Sequence, residues 1–290
     1  MAYFTHDVRF LFSCFHRGAS FKKVLVIGRS LVWTTPCELC EAAAEFGMSM
    51  DLSAANRILT KNNGYCEPLF EFLGAQEIKA MDVSDYEGAE LIQDLNHPIE
   101  ASMQERFTAV VDGGSLEHVF NIVQAFKNCM ELTEQGGSFL ALSPANNFSG
   151  HGFYQLSPEF LFGALNEKNG FKVRRMLMHE NKKKAPVYEV MDPREYGQRV
   201  MLCNKVPVFI KTWAIRERIK PLFETFPQQP DWDYFWDKKA DRGKDISLKH
   251  KVRDIVRRVL PSLLSEYQRI RMEGSQETGF KPKCYKKTTY

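Results

Sequence analysis

Phe107-Thr108-Ala109-Val110-Val111-Asp112-Gly113-Gly114 decides the fold class of this 290-residue chain. Its apolar residues are continuous rather than alternating, so the strand they form is buried on both faces, as strands are in parallel sheets. An acid and two glycines then end it. Toward the N-terminus, Lys22-Lys23-Val24-Leu25-Val26-Ile27-Gly28 repeats the pattern, Glu77-Ile78-Lys79-Ala80-Met81-Asp82 again closes on an acid, and Ala89 to Gln93 is a short strand. Between them, Thr35-Pro36-Cys37-Glu38 carries a helix-capping box with proline at the first position, predicting a helix to about Phe46, and a second helix runs from Glu67 to Leu73.

Toward the C-terminus, helical spacing runs from Leu116 to Leu132, and Gly136-Gly137 opens a strand from Ser138 to Ser143. Ser157-Pro158-Glu159 caps a helix to about Asn169, Phe171 to Met178 is strand-like, and Arg199 to Leu202 with Val208 to Trp213 read as a closing strand pair. Strands alternating with helices predict an α/β domain with a mostly parallel sheet covered on both faces, its acids and glycines gathered on the carboxyl edge where ligands bind. The expected organisation is an aromatic-rich N-terminal helix (1–20), this domain (21–215), and a basic helical extension with a loose tail (216–290).

Composition bounds the function. Hydrophobic residues at 44% and charged residues at 26% describe a globular protein, and no run of about 18 apolar residues predicts a membrane span. The first thirty residues lack signal-peptide features, and seven cysteines argue against a disulfide framework, so a cytoplasmic protein with reduced thiols is expected. The net charge of +3 is uneven: from Lys238 onward 15 Lys/Arg face 6 Asp/Glu, a balance of +9, which leaves the body at −6. Ile246, Leu248, Val252, Ile255, Val256 and Val259 interleave with Lys249, Lys251, Arg253, Arg257 and Arg258 as an amphipathic cationic helix. That helix either docks on the body or meets an anionic partner such as a membrane surface. Cys37-Glu38-Leu39-Cys40 has no second cysteine pair at zinc-site spacing, so no metal is expected.

No dinucleotide fingerprint and no P-loop is present. Asp82 is a candidate acceptor for a ribose diol, and Asp94 for an adenine amino group, each against the plain alternative of a loop acid capping a turn. The blocks Val24 to Arg29, Asp82 to Ala89, Asp94-Leu95-Asn96, Val111 to Val119, Ser143 to Asn147 and His151 to Glu159 resemble class I S-adenosylmethionine-dependent methyltransferases, in particular a bacterial subgroup associated with surface-glycan or small-molecule biosynthesis. The resemblance covers roughly residues 20–236. It implies a Rossmann-like sheet and S-adenosylmethionine as cofactor, with Gly28, Arg29, Asp82, Asp94, Leu95, Asp112, Gly113 and Gly114 around it. The first loop departs from the family's several glycines, and Arg29 there either clashes with the cofactor or grips its carboxylate.

Methylation of a hydroxyl needs a base. His151, between glycines in Ser149-Gly150-His151-Gly152, is the candidate, with Glu117, His118 and Tyr154 as substrate-side residues. The expected function is methyl transfer to a small-molecule or glycan acceptor, most simply at oxygen. The rivals are a methyltransferase-like scaffold that has lost catalysis and a nucleic-acid methyltransferase. No Asn-Pro-Pro-Tyr or Asp-Pro-Pro-Tyr run supports the latter, so a nucleic-acid partner is not expected.

Overall fold

The computed structural model describes residues 2–196, 200–228, 279–280 and 284–290. Strand β1 (Ala2–Phe4) runs into helix α1 (Thr5–His16), and β2 (Lys23–Ile27) and β3 (Leu31–Trp33) follow. Helices α2 (Pro36–Ala44), α3 (Leu52–Thr60) and α4 (Glu67–Phe72) lead to β4 (Glu77–Asp82), β5 (Leu91–Ile92) and β6 (Phe107–Asp112). The rest is α5 (Ile122–Leu132), β7 (Thr133–Asn146), α6 (Pro158–Ala164), β8 (Phe171–Glu180), β9 (Val187–Val190), α7 (Pro193–Tyr196), β10 (Val208–Arg216) and β11 (Tyr285–Thr288).

Nine strands form one sheet in the order β5-β4-β2-β6-β7-β10-β8-β9-β11. β5, β4, β2, β6 and β7 pair in parallel, while β10 is antiparallel to both β7 and β8. The molecule is therefore a Rossmann-like α/β fold. The alternation of β2 explains its two-sided burial: Leu25 and Ile27 enter one core with α5 and α6, and Val24 and Val26 enter the other with α1 to α4. Every residue of β6 is buried. Fully burying such a side chain is worth about 1.5–3 kcal/mol, so this central strand anchors the sheet. Among the described residues, no helix is long and apolar enough to cross a membrane.

Thr35 caps α2 as the capping box predicts, and α1 forms within the first twenty residues. Phe10, Leu11 and Phe12 are inaccessible, and Asp7 forms an ion pair with Lys211 of β10 beneath the helix. Four sequence expectations are corrected. The helix expected from Leu116 is instead a 3-10 turn, Leu116–His118, followed by α5, because the Asn121 side chain accepts from the Gln124 N–H and starts a new helix there. The helix expected to reach Asn169 ends at Ala164, with a separate 3-10 turn, Glu167–Asn169, capped by Asn166. β10 pairs with β7 and β8, not with residues 200–202, beside which Cys203 makes an isolated bridge to Gly279, and Arg199 of the expected pair lies outside the described residues. The expected loose tail holds β11, which pairs with β9 and buries Tyr285. The amphipathic cationic helix expected at 246–259, with its membrane-surface alternative, lies outside the described residues. Cys37 is exposed and Cys40 half-buried, while Cys14, Cys66 and Cys129 are buried thiols.

Candidate functional site

Parallel strands β2, β4 and β6 end side by side, and the loops that leave them enclose a cavity of about 310 Å3. That volume is at the small end of the ~300–1,000 Å3 typical of ligand pockets. Gly28, Asp82, Asp94, Leu95 and His118 line it, together with Ser115. A larger concavity, about 870 Å3, follows the start of β8 and the end of β10, on the opposite edge of the sheet from these loops.

Gly28 donates its N–H to Met81 O at 2.8 Å, completing the ladder between β2 and β4. Its φ of +68° then turns the chain sharply off the strand, a conformation that costs side-chain-bearing residues energy. At the neighbouring strand end, Asp82 uses Oδ1 to accept from the Val83 N–H at 2.6 Å, and Oδ2 takes no hydrogen bond from the described residues. One carboxylate oxygen thus stays available at the cavity wall. Asp94 closes the other side by accepting from the Asn96 backbone N–H (2.9 Å) and side-chain Nδ2 (2.8 Å), which hold its carboxyl below the usual range. Asn96 in turn accepts from the Asn121 N–H at 2.8 Å, so the Asp94-Leu95-Asn96 loop is clamped to the start of α5.

Asp112, though also at a strand end, has a different job. It is inaccessible, and its Oδ1 accepts from the backbone N–H groups of Gly114 (3.2 Å), Ser115 (2.7 Å) and Leu116 (3.3 Å). Burial pushes its carboxyl up, against the pull of those three donors. The carboxylate therefore folds the turn that presents Ser115 and His118 to the cavity, and Asp112, Gly113 and Gly114 themselves do not line it. A Cβ on Gly113 would stand 2.8 Å from the Tyr3 ring, so that glycine serves the packing of the N-terminal strand under the loop.

Arg29 also stands apart from the cavity. Its Nε donates to Glu67 at 2.6 Å, its Nη1 donates to Glu87 O at 2.8 Å, and its guanidinium lies 4.0 Å from the centre of the Tyr65 ring. The side chain ties the start of α4 to the loop that follows β4.

The base candidate belongs to a second group at the cavity rim. Glu117 is 1% exposed, its Oε1 is 3.7 Å from His151 Nε2, and its Oε2 has no hydrogen-bond partner. Burial first, and then the charge of Asp112, raises the Glu117 carboxyl far above its ordinary range. His118 and His151 meet edge to face with ring centres 5.2 Å apart. Burial, with His151 as the next cause, lowers the His118 imidazole. The loop bearing His151 is registered on Glu117, whose carbonyl accepts from the N–H groups of Phe153 (2.8 Å) and Tyr154 (3.2 Å). Tyr154 donates its hydroxyl to Phe120 O at 2.7 Å, so it braces the two loops together.

Residues that sequence reading did not single out complete the rim. Val83, Gln93, Asn96 and Ser115 line the cavity, and Phe120 and Phe153 form an edge-to-face pair at 5.5 Å while remaining 71% and 64% exposed. Two exposed aromatic rings in contact form an apolar patch of the kind that can mark a ligand surface. Their signal in the sequence is slight, since they lie 33 positions apart.

The chain matches no known protein-family pattern and no curated protein. Solved structures similar to it include a protein from Bacillus halodurans C-125 provisionally assigned as a methyltransferase, at 13% identity over 71% of this chain and 99% of that one, with a TM-score of 0.37. A SAM-dependent methyltransferase from Aquifex aeolicus is 9% identical over 73% of this chain and 98% of that one, with a TM-score of 0.33. The branched-chain polyamine synthase from Thermus thermophilus, in complex with N4-aminopropylspermidine and 5'-methylthioadenosine, is 11% identical over 78% of this chain and 60% of that one, with a TM-score of 0.36. Similarity at these scores adds nothing to what the strand order establishes.

Proposed function

We propose that this chain is an S-adenosylmethionine-dependent methyltransferase whose cofactor's nucleoside occupies the 310 Å3 cavity. The observation that carries the reading is the open Oδ2 of Asp82, at the wall of a pocket built on adjoining parallel strand ends. A carboxylate there accepts from both hydroxyls of a ribose, and the clamped Asp94-Leu95-Asn96 loop offers an acceptor and an apolar wall to a base. These residues fit the nucleoside. Asp112, Gly113, Gly114 and Arg29 act in this reading as scaffolding for the loops, and Gly28 lets the backbone approach.

The bound cofactor supplies an already activated methyl group, so the chain's own contribution is mainly to place and deprotonate an acceptor. His151 Nε2, 3.7 Å from the Glu117 carboxyl and 49% exposed, takes the proton from an acceptor hydroxyl. Phe120 and Phe153 offer flat apolar faces against which a sugar or another small acceptor can stack. The reading is therefore O-methylation of a small or carbohydrate-like acceptor by a protein active in the cytoplasm. One observation favours a second reading. With Arg29 already committed to Glu67 and Glu87, the first loop offers no cation to a cofactor carboxylate, which suits a scaffold that has given up catalysis.

Calorimetric titration with S-adenosylmethionine and S-adenosylhomocysteine separates the two. Micromolar binding is expected, weakened about 10–100-fold in Asp82→Ala, the range for losing hydrogen bonds to a charged group. No binding by the folded wild-type protein would overturn the enzyme reading and leave the scaffold.

A further inference from the structure

We propose that Glu117, His118 and His151 form a binding site for a divalent first-row transition metal at the rim of the cavity. One ligand atom from each of the three lies within 4.8 Å of the others. Around a bound ion, with bonds of ~2.0–2.2 Å, such atoms stand roughly 3–3.5 Å apart. The 3.7 Å already separating Glu117 Oε1 from His151 Nε2 is close to that, and the remaining gap closes by side-chain movements of about an ångström.

Three features make this more than a chance grouping. First, Glu117 is buried to 1% exposure with Oε2 unpartnered, an arrangement that costs free energy unless a cation completes it. Second, the His151 loop is pinned to Glu117 by two backbone hydrogen bonds. Gly152 permits that approach, since a Cβ there would stand 2.9 Å from the Glu117 carbonyl oxygen. Third, Gly150 adopts a φ of +86° with open space around it, a turn that leaves room for the His151 ring to shift onto an ion.

The donor set selects the metal. Two imidazoles with one carboxylate suit iron, cobalt, nickel or zinc, whereas magnesium and calcium favour all-oxygen shells. Three protein ligands leave coordination positions vacant, as catalytic sites do and structural sites do not. His118 also lines the cavity, so the vacant positions adjoin it and can take an oxygen-bearing acceptor. The inference goes beyond methyl transfer: an ion held by His151 Nε2 would take the place of that nitrogen as the activator of an acceptor oxygen, while cofactor binding in the cavity does not depend on it.

Metal-stripped full-length protein is titrated with Co2+, read by visible absorption, and with Zn2+, read by calorimetry. One equivalent of Co2+ is expected, with a ligand-field spectrum typical of nitrogen and oxygen donors. His118→Ala and His151→Ala should each weaken binding by more than about tenfold, a loss that changes one shell further out can already produce. A Cys37→Ser/Cys40→Ser double variant should bind as the wild type does. Absence of Co2+ binding by folded wild-type protein overturns the proposal. So does binding that survives both histidine changes, or that disappears with the cysteines. Because metal binding and cofactor binding are measured separately, failure of either inference leaves the other standing.

Discussion

Two clusters of titratable side chains occupy this molecule, one under α1 and one at the rim of the cavity. Under α1, Asp7 is paired with Lys211, His6 Nδ1 is 2.6 Å from the Tyr290 hydroxyl, and His6 stacks on His179 with ring centres 4.1 Å apart. All four of Asp7, Lys211, His6 and His179 are buried. At the rim, Glu117 is equally buried, but one oxygen has no partner, and the histidines beside it are open to solvent. Both clusters contain groups whose titration burial has moved, so a displaced pKa does not by itself distinguish them. Pairing and access do. The first cluster joins parts of the fold, while the second keeps an unfilled valence next to a pocket.

The largest expected effect tests the first cluster. Asp7→Ala strands the Lys211 ammonium in the interior and should cost about 3–5 kcal/mol, read by urea denaturation, while leaving Co2+ binding unaltered in the folded fraction. A loss under about 1 kcal/mol would mean that Lys211 finds water or another partner, and the contrast between the clusters would weaken.

Acid should expose the same cluster. Burial, with Lys211 as the next cause, lowers the His6 imidazole and holds that of His179 well below its ordinary value. Below the unfolded value of about 6.5 the unfolded chain binds protons that the folded chain refuses, so stability falls as pH falls. The slope reaches at most about 1.4 kcal/mol per pH unit for each histidine. Denaturation midpoints between pH 7.5 and 5 should drop accordingly, and His179→Gln should flatten the curve. Identical midpoints in wild type and variant would show that the stacked pair is protonated in the fold.

Glu117→Gln should behave in the opposite way to Asp7→Ala. Replacing a buried carboxyl whose Oε2 has no partner leaves stability unchanged or raises it by about 1 kcal/mol, while metal binding is lost. A strong destabilisation would make Glu117 a structural residue like Asp7. Smallest of all, Asp82→Ala should shift stability by no more than about 0.5 kcal/mol, so its effect on cofactor binding can be read without correction for unfolding.

Which parts of this were legible in the sequence follows from the range over which each signal acts. β4 and β6 fall where their apolar runs place them, and Thr35 caps α2 as its box dictates, because burial on both faces and capping are written within a few residues. The exposure of Asp82 and the burial of Asp112 were not legible, since both read as an acid ending a strand. What separates them is the Tyr3 segment packed against Gly113, about 110 residues earlier in the chain. Arg29 shows the same limit: its partners Glu67, at the start of α4, and Glu87, in the loop after β4, are brought together only by the assembled sheet. His118 and His151 likewise lie 33 residues apart, and nothing local couples them. α3 has an Asp51 cap but short, mixed patterning, and no helix was expected there.

The position of β10 also sets a timetable. It is synthesised after both of its neighbours, β7 and β8, yet it lies between them and satisfies a row of backbone groups on each. Until residues 208–216 emerge, those two strands have no hydrogen-bonding partner on their facing sides, and the parallel half of the sheet, with the cavity, can assemble without them. A nascent or truncated chain that stops short of β10 therefore presents two sticky edges to its neighbours, so chaperone demand and aggregation during expression should be governed by the arrival of one late strand.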